Sequence, residues 1–114
     1  MLQLITEPIT KKQFEDSKGD LFDQSYIKWV IDIELGVMTI GGEKHFFGEQ
    51  LLLENGSNQS DLWGGGFHSL SKVVDFESMI NIRPYQSNMR RDIESSDIKE
   101  RCLELFKKYF KDYL

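Results

Sequence analysis

Polar and apolar residues alternate most regularly over residues 26–34. Ile27, Trp29, Ile31 and Ile33 fall on one side, and Tyr26, Lys28, Val30, Asp32 and Glu34 on the other. A period of two predicts a strand whose purely apolar set faces the core. Leu35-Gly36 predicts a tight turn into a second strand, Val37–Ile40. Gly41-Gly42 predicts another reversal, with a third strand over 43–47. Residues 48–54 predict a short helix closed by Asn55-Gly56.

Before this block, residues 2–9 read as a short edge strand ended by Pro8. Thr10 and Gln13 then form a capping-box pattern for a helix running to about Lys18, which Gly19-Asp20 ends. After it, residues 62–70 are strand-like but interrupted by Gly64-Gly65-Gly66, which predict a bulge or hairpin. Residues 73–82 predict a strand with Val74, Phe76, Ser78, Ile80 and Ile82 on one side, stopped by Pro84. The last element is a helix. Asp97 and Glu100 suggest its cap, and Ile98, Cys102, Leu105, Tyr109 and Tyr113 recur at helical spacing. Leu103, Phe106 and Phe110 widen the stripe. The predicted architecture is α+β. It is one domain over residues 1–114, mainly an antiparallel sheet, with a short N-terminal helix and a long amphipathic C-terminal helix packed on one face.

Composition refines this picture. The 114 residues include no alanine but ten Ile, twelve Leu and fourteen aromatics, so large side chains fill the core. Burial of roughly two thirds of the unfolded surface lets a chain of this size fold without staples. The lone Cys102 forms no internal disulfide, which points to a reducing, cytoplasmic setting. The start, Met1 to Ile5, is too short for a secretory apolar segment, and no apolar run suits a bilayer. The net charge of −5 argues against nucleic acid as a partner. The charge is polarised, however: residues 1–82 carry 13 acids and 6 bases (−7), and residues 83–114 carry 6 acids and 8 bases (+2).

Three polar clusters are candidates for chemistry. In Arg83-Pro84-Tyr85-Gln86-Ser87-Asn88-Met89-Arg90-Arg91, guanidinium groups and neutral donors together suit a phosphate or carboxylate. In Gly41-Gly42-Glu43-Lys44-His45, Glu43 and His45 two apart on a strand share a side and would serve as a general base. In Ser57 to Gly64, Asp61 and Trp63 precede the glycines, and Trp63 offers a flat wall. Asp32, Glu34, Glu43 and Asp61 have the chemistry of a divalent-metal set, but a solvated sheet face accounts for them equally well. His45, His68 and Cys102 lack zinc-ligand spacing, so no metal is assigned.

The segments Val30 to Glu34, Gly41 to His45, Leu51 to Ser57, Gln59 to Gly64 and Ser78 to Pro84, with Gln86, Asn88 and Arg90 or Arg91, resemble a family of small bacterial and archaeal proteins. That family is classed as a domain of unknown function. The resemblance covers most of residues 26–104 and implies no activity or cofactor. It does draw attention to polar loops, where sites concentrate. The leading expectation is a binding module for a small anionic ligand. Arg83, Gln86, Asn88, Arg90, Trp63, Asp61 and His45 would line a rim of loops. A metal- or His/Glu-dependent hydrolase using His45 and Glu43 is the alternative. A homodimer formed through the aromatic C-terminal helix is the third reading.

Overall fold

The computed structural model describes residues 1–19 and 25–114. Among the described residues, five antiparallel strands form one sheet in the order β1-β3-β2-β4-β5. They are β1 (Gln3–Ile5), β2 (Tyr26–Asp32), β3 (Val37–Ile40), β4 (Leu62–His68) and β5 (Val73–Asp75). Three α-helices accompany them: α1 (Lys11–Ser17), α2 (His45–Glu54) and α3 (Ser96–Tyr109). The α+β class, the edge position of β1 and the Thr10/Gln13 capping box are all as expected. The end expected at Gly19-Asp20 is a C-cap at Lys18; Asp20 lies outside the described residues. Among the described residues, no helix is long and apolar enough to cross a membrane.

The alternation in β2 sorts the core into two layers. Ile27, Trp29 and Ile31 pack with Phe14 of α1 and with Cys102, Phe106 and Tyr109 of α3 on one face. On the other face Val30 packs with Leu52 of α2 and with Leu62. The N-terminal and C-terminal helices thus share a face, and α2 covers part of the opposite one. Gly48 lets α2 approach the sheet closely, since a Cβ there would meet Thr39 and Val30.

Several local expectations are corrected. Residues 43–47 are not a strand. Gly41 and Gly42 turn the chain at φ +85° and +86°, and α2 begins at His45 with Lys44 as its cap residue. Glu43 and His45 therefore do not share a strand face. The run 73–82 is a strand only to Asp75. Asp75 Oδ1 accepts the Glu77 N–H, and Ser78 then caps a single 3₁₀ turn, Met79–Asn81. The three glycines do not break β4, which pairs with β2 from Leu62 to His68. An added Cβ would overlap Trp29 at Gly65 and Tyr26 at Gly66, so the glycines give room to aromatics lying across the strand. Pro84 opens a 3₁₀ turn, Pro84–Gln86. The α3 cap is Ser95, whose Oγ accepts the Ile98 N–H at 3.2 Å, rather than Asp97. Asp32 is fully buried instead of solvated. Its Oδ1 takes the Glu34 and Leu35 N–H groups and so builds the β2–β3 turn.

Candidate functional site

The arginine expected to head an anion site faces inward. Arg83 is 2% exposed. One terminal nitrogen donates to Gln59 O at 2.6 Å, the other to Leu62 O, and the guanidinium lies 4.1 Å from the Trp63 ring centroid. Burial pushes its pKa below the usual arginine value, with Tyr85, Glu49 and Asp61 opposing that shift. This guanidinium ties the start of β4 to the segment that follows β5.

Asn88 and Gln86 serve the same loop. Asn88 is buried and its amide nitrogen reaches the carbonyls of Asn81, Arg90 and Asp92, while its oxygen accepts the Glu94 N–H. Gln86 donates to Ser60 O at 3.0 Å. The Asp61 carbonyl accepts from Ile33 N–H. Arg90 is exposed and stands 3.7 Å from Glu94. Trp63 is buried in the core. Arg83, Gln86, Trp63 and Asp61 are therefore brought together, but as an internal clamp. His45 lies elsewhere along β4, against Gly65.

Glu49, one helical turn beyond His45, belongs to this clamp. It is 8% exposed, and its Oε2 has no hydrogen-bond partner among the described residues. Burial raises its pKa above the usual glutamate value, and nearby Arg83 offsets this in part. A raised folded value means that the ionised form is the poorly accommodated one. Stability is thus fullest below the unfolded value of about 4.3 and falls as pH rises through the folded value. Glu49→Gln is expected to flatten this fall, which melting temperatures measured from acid to neutral pH would show. A wild-type melting temperature that rises across that window, with no difference in the variant, would contradict it.

A different group of side chains faces solvent on the part of the sheet that α2 leaves uncovered. Lys28 (β2), Gly66 (β4) and Asp75 (β5) stand opposite one another in register. Asp75 Oδ2 accepts from Tyr26 Oη and lies 3.0 Å from His68 Nε2. Tyr26 spans the strand because Gly66 carries no side chain. Lys28 is half-buried. Its ammonium lies 5.6 Å from the Tyr26 ring centroid, and no ion pair is present for it among the described residues.

Beside Lys28, a cleft of about 260 Å³ opens between the start of α2 and the Met79–Asn81 turn. It is lined by Glu43, Lys44, His45 and Phe46 from the start of α2 and the residues before it, and by Ser78, Met79 and Ile80 from the turn. His45 Nε2 lies 2.6 Å from Gly65 O. A carbonyl only accepts, so this nitrogen carries the proton and Nδ1 is the acceptor. Burial pushes the His45 pKa below its ordinary value against that bond, and Lys28 adds to the lowering. His45 therefore lines the cleft with its N–H already committed. The hydroxyl of Ser78 accepts the Ile80 N–H at 3.2 Å, leaving its own proton for another acceptor. A wider depression of about 700 Å³ shares Lys28, Glu43 and Lys44 and borders Gly19, next to residues 20–24, which lie outside the description.

Among the described residues no group of three or more His, Cys, Asp or Glu side chains has metal-site geometry. Asp32 and Glu34 are separated in role: one builds a turn, the other pairs with Arg101 at 3.0 Å. Cys102 is buried and its thiol is pushed up to about 12, so it is a core group. The aromatic excess of the C-terminal helix is absorbed within the chain. Phe106 and Phe110 are buried, and Tyr113 stacks on Phe14 at 4.1 Å.

Sequence reasoning missed Lys28, Ser78 and the Tyr26–Asp75–His68 cluster. Residues 28, 66 and 75 meet only through strand register, which spacing along the chain does not carry. The alternation in β2 did place Tyr26 and Lys28 on one face, which was the available signal.

Residues 3–109 match the model of a family described as "Protein of unknown function (DUF5674)", and the chain belongs to that family. No curated protein and no solved structure matches the chain.

Proposed function

We propose that this member of the DUF5674 family is a binding module for a small anionic ligand, held in the cleft between Lys28, Lys44, His45 and Ser78. The observation that carries this reading is Lys28. It is a half-buried cation on the sheet floor with no carboxylate bound to it among the described residues, in a chain whose net charge is −5. Partial burial weakens solvent screening, so an anion gains more from Lys28 than from an exposed lysine. Lys44 adds a second positive charge at the start of α2, so two cations face the one lining carboxylate, Glu43, and Ser78 adds a hydroxyl donor. The anionic ligand expected from the sequence is kept, but His45 serves as wall and not as donor, because its N–H is taken by Gly65 O. The anchoring charge moves from Arg83 to Lys28.

Calorimetric titration with inorganic phosphate at low ionic strength tests this. Saturable binding is expected for the wild type, weakened about tenfold or more in Lys28→Gln, which keeps most of the side-chain stem. Unchanged melting of the variant would show that its fold is intact. Absent binding by the wild type, or equal binding by a folded Lys28→Gln, would overturn the reading.

A further inference from the structure

The cleft is two-sided in chemistry, and this narrows the ligand. Lys28, Lys44 and Ser78 supply charge and a donor, while Phe46, Met79 and Ile80 supply apolar wall. Phe46 and Met79 are 52% and 68% exposed, a large apolar exposure for two residues that meet at one opening. The Phe46 ring is braced edge-on by Phe47 at 5.9 Å, and Ile80 packs against the core layer under α2. Of the apolar wall, Ile80 rests on the core, whereas Phe46 leans on Phe47, which is itself exposed. A phosphate or carboxylate alone would use the charged floor and leave those walls in water.

We infer that the ligand joins a compact apolar ring to a phosphate or carboxylate, its anion on Lys28 and Lys44 and its ring between Phe46 and Met79. This rests on the reading of the cleft as an anion site. The size agrees. A cavity of about 150 Å³ accepts benzene, and this cleft offers about 260 Å³, room for one ring and its anionic group. Aromatic and thioether side chains also suit a flat ring, because both are polarizable and make favourable contacts with aromatic faces and edges.

The test compares phenyl phosphate, methyl phosphate, inorganic phosphate and benzyl alcohol by calorimetry on the full chain. Phenyl phosphate is expected to bind about tenfold or more tightly than methyl phosphate. Met79→Ser and Phe46→Ser, both at exposed positions, should remove that advantage while leaving phosphate binding unchanged. Lys28→Gln should weaken all three phosphates. Equal affinity for phenyl and methyl phosphate, both lost in Lys28→Gln, would overturn the ring but keep the anion site. Binding of benzyl alcohol as tight as that of phenyl phosphate, insensitive to Lys28→Gln, would overturn both. Sedimentation of the wild type as a dimer that Met79→Ser dissociates, with no phosphate bound, would assign the apolar walls to a second copy and also end the proposal.

Discussion

Arg83→Ala is expected to cost about 3–5 kcal/mol of folding stability, a large share of what a domain of this size possesses. The guanidinium satisfies the carbonyls of Gln59 and Leu62, and it covers the Trp63 ring. Hydrogen bonds from a charged donor contribute roughly 1.5–3 kcal/mol each, and a desolvated cation over an indole adds about 2 kcal/mol. These gains are partly offset by the cost of burying the charge, which is why their full sum is not expected. Truncation also leaves two carbonyls unpaired and a hole beside Trp63. Arg83→Lys should recover little, because a single ammonium on a flexible stem does not reproduce a planar fork that donates in two directions while stacking. Urea unfolding followed by circular dichroism reads the effect as a shift in midpoint at constant slope. A loss below about 1 kcal/mol, accompanied by lost phosphate binding, would return Arg83 to the role the sequence suggested.

Asn81→Ala is expected to be of similar size, about 3–4 kcal/mol, for a different reason. In antiparallel register β5 stands opposite Gly66, Phe67 and His68 but not Gly64, so the Gly64 edge of β4 lacks a strand neighbour on that side. Asn81 takes that place. Its Oδ1 accepts the Gly64 N–H at 2.8 Å, and its Nδ2 donates to Gly64 O at 2.9 Å, as a paired residue in a sheet would. The same Nδ2 also reaches Phe76 O and Arg91 O, so its two hydrogens are shared among three carbonyls. The side chain is fully buried, and water does not take over these groups cheaply when it is removed. Asn81→Asp separates shape from hydrogen bonding. It keeps the outline and the acceptor for Gly64 N–H but turns a charged oxygen toward the carbonyls, so it should destabilise more than Ala. An Asp variant more stable than the Ala variant would refute the strand-mimic role. Native-state hydrogen exchange adds a local readout: the Gly64 amide should lose its protection in the Ala variant, which removes its acceptor, and keep more of it in the Asp variant, which retains one.

Both predictions bear on how a polar motif is read from sequence. Arg83, Gln86 and Asn88 looked like a ligand loop because charged and amide residues cluster between Pro84 and Arg91. The same residue types are what an irregular chain needs when it must satisfy its own backbone. Residues 76–94 contain two short turns and the isolated bridges Glu77–Asp92 and Arg83–Asn88, so many carbonyls there lack a helix or sheet partner. Asn81 and Asn88 collect those carbonyls. Composition alone does not distinguish a donor aimed at a phosphate from one aimed at a peptide oxygen, because the two demands are chemically alike.

Elements whose signal is local are legible along the chain. The two-residue period of β2 fixes which side chains enter the layer under α3, because consecutive strand residues point to opposite faces. The capping box fixes the start of α1, and the 3.6-residue stripe fixes the buried face of α3. Tertiary structure alone decided the rest. Gly64 to Gly66 stay in a central strand because Ser78 with His45, Trp29 and Tyr26 respectively need the space above them, which is a contact between distant residues. Residues 45–47 enter a helix because α2 can rest on Thr39 and Val30. The candidate cleft likewise exists only after folding. Lys28, His45 and Ser78 come from a strand, a helix start and a turn, and their meeting is set by strand pairing and helix docking, neither of which is encoded in nearest-neighbour spacing.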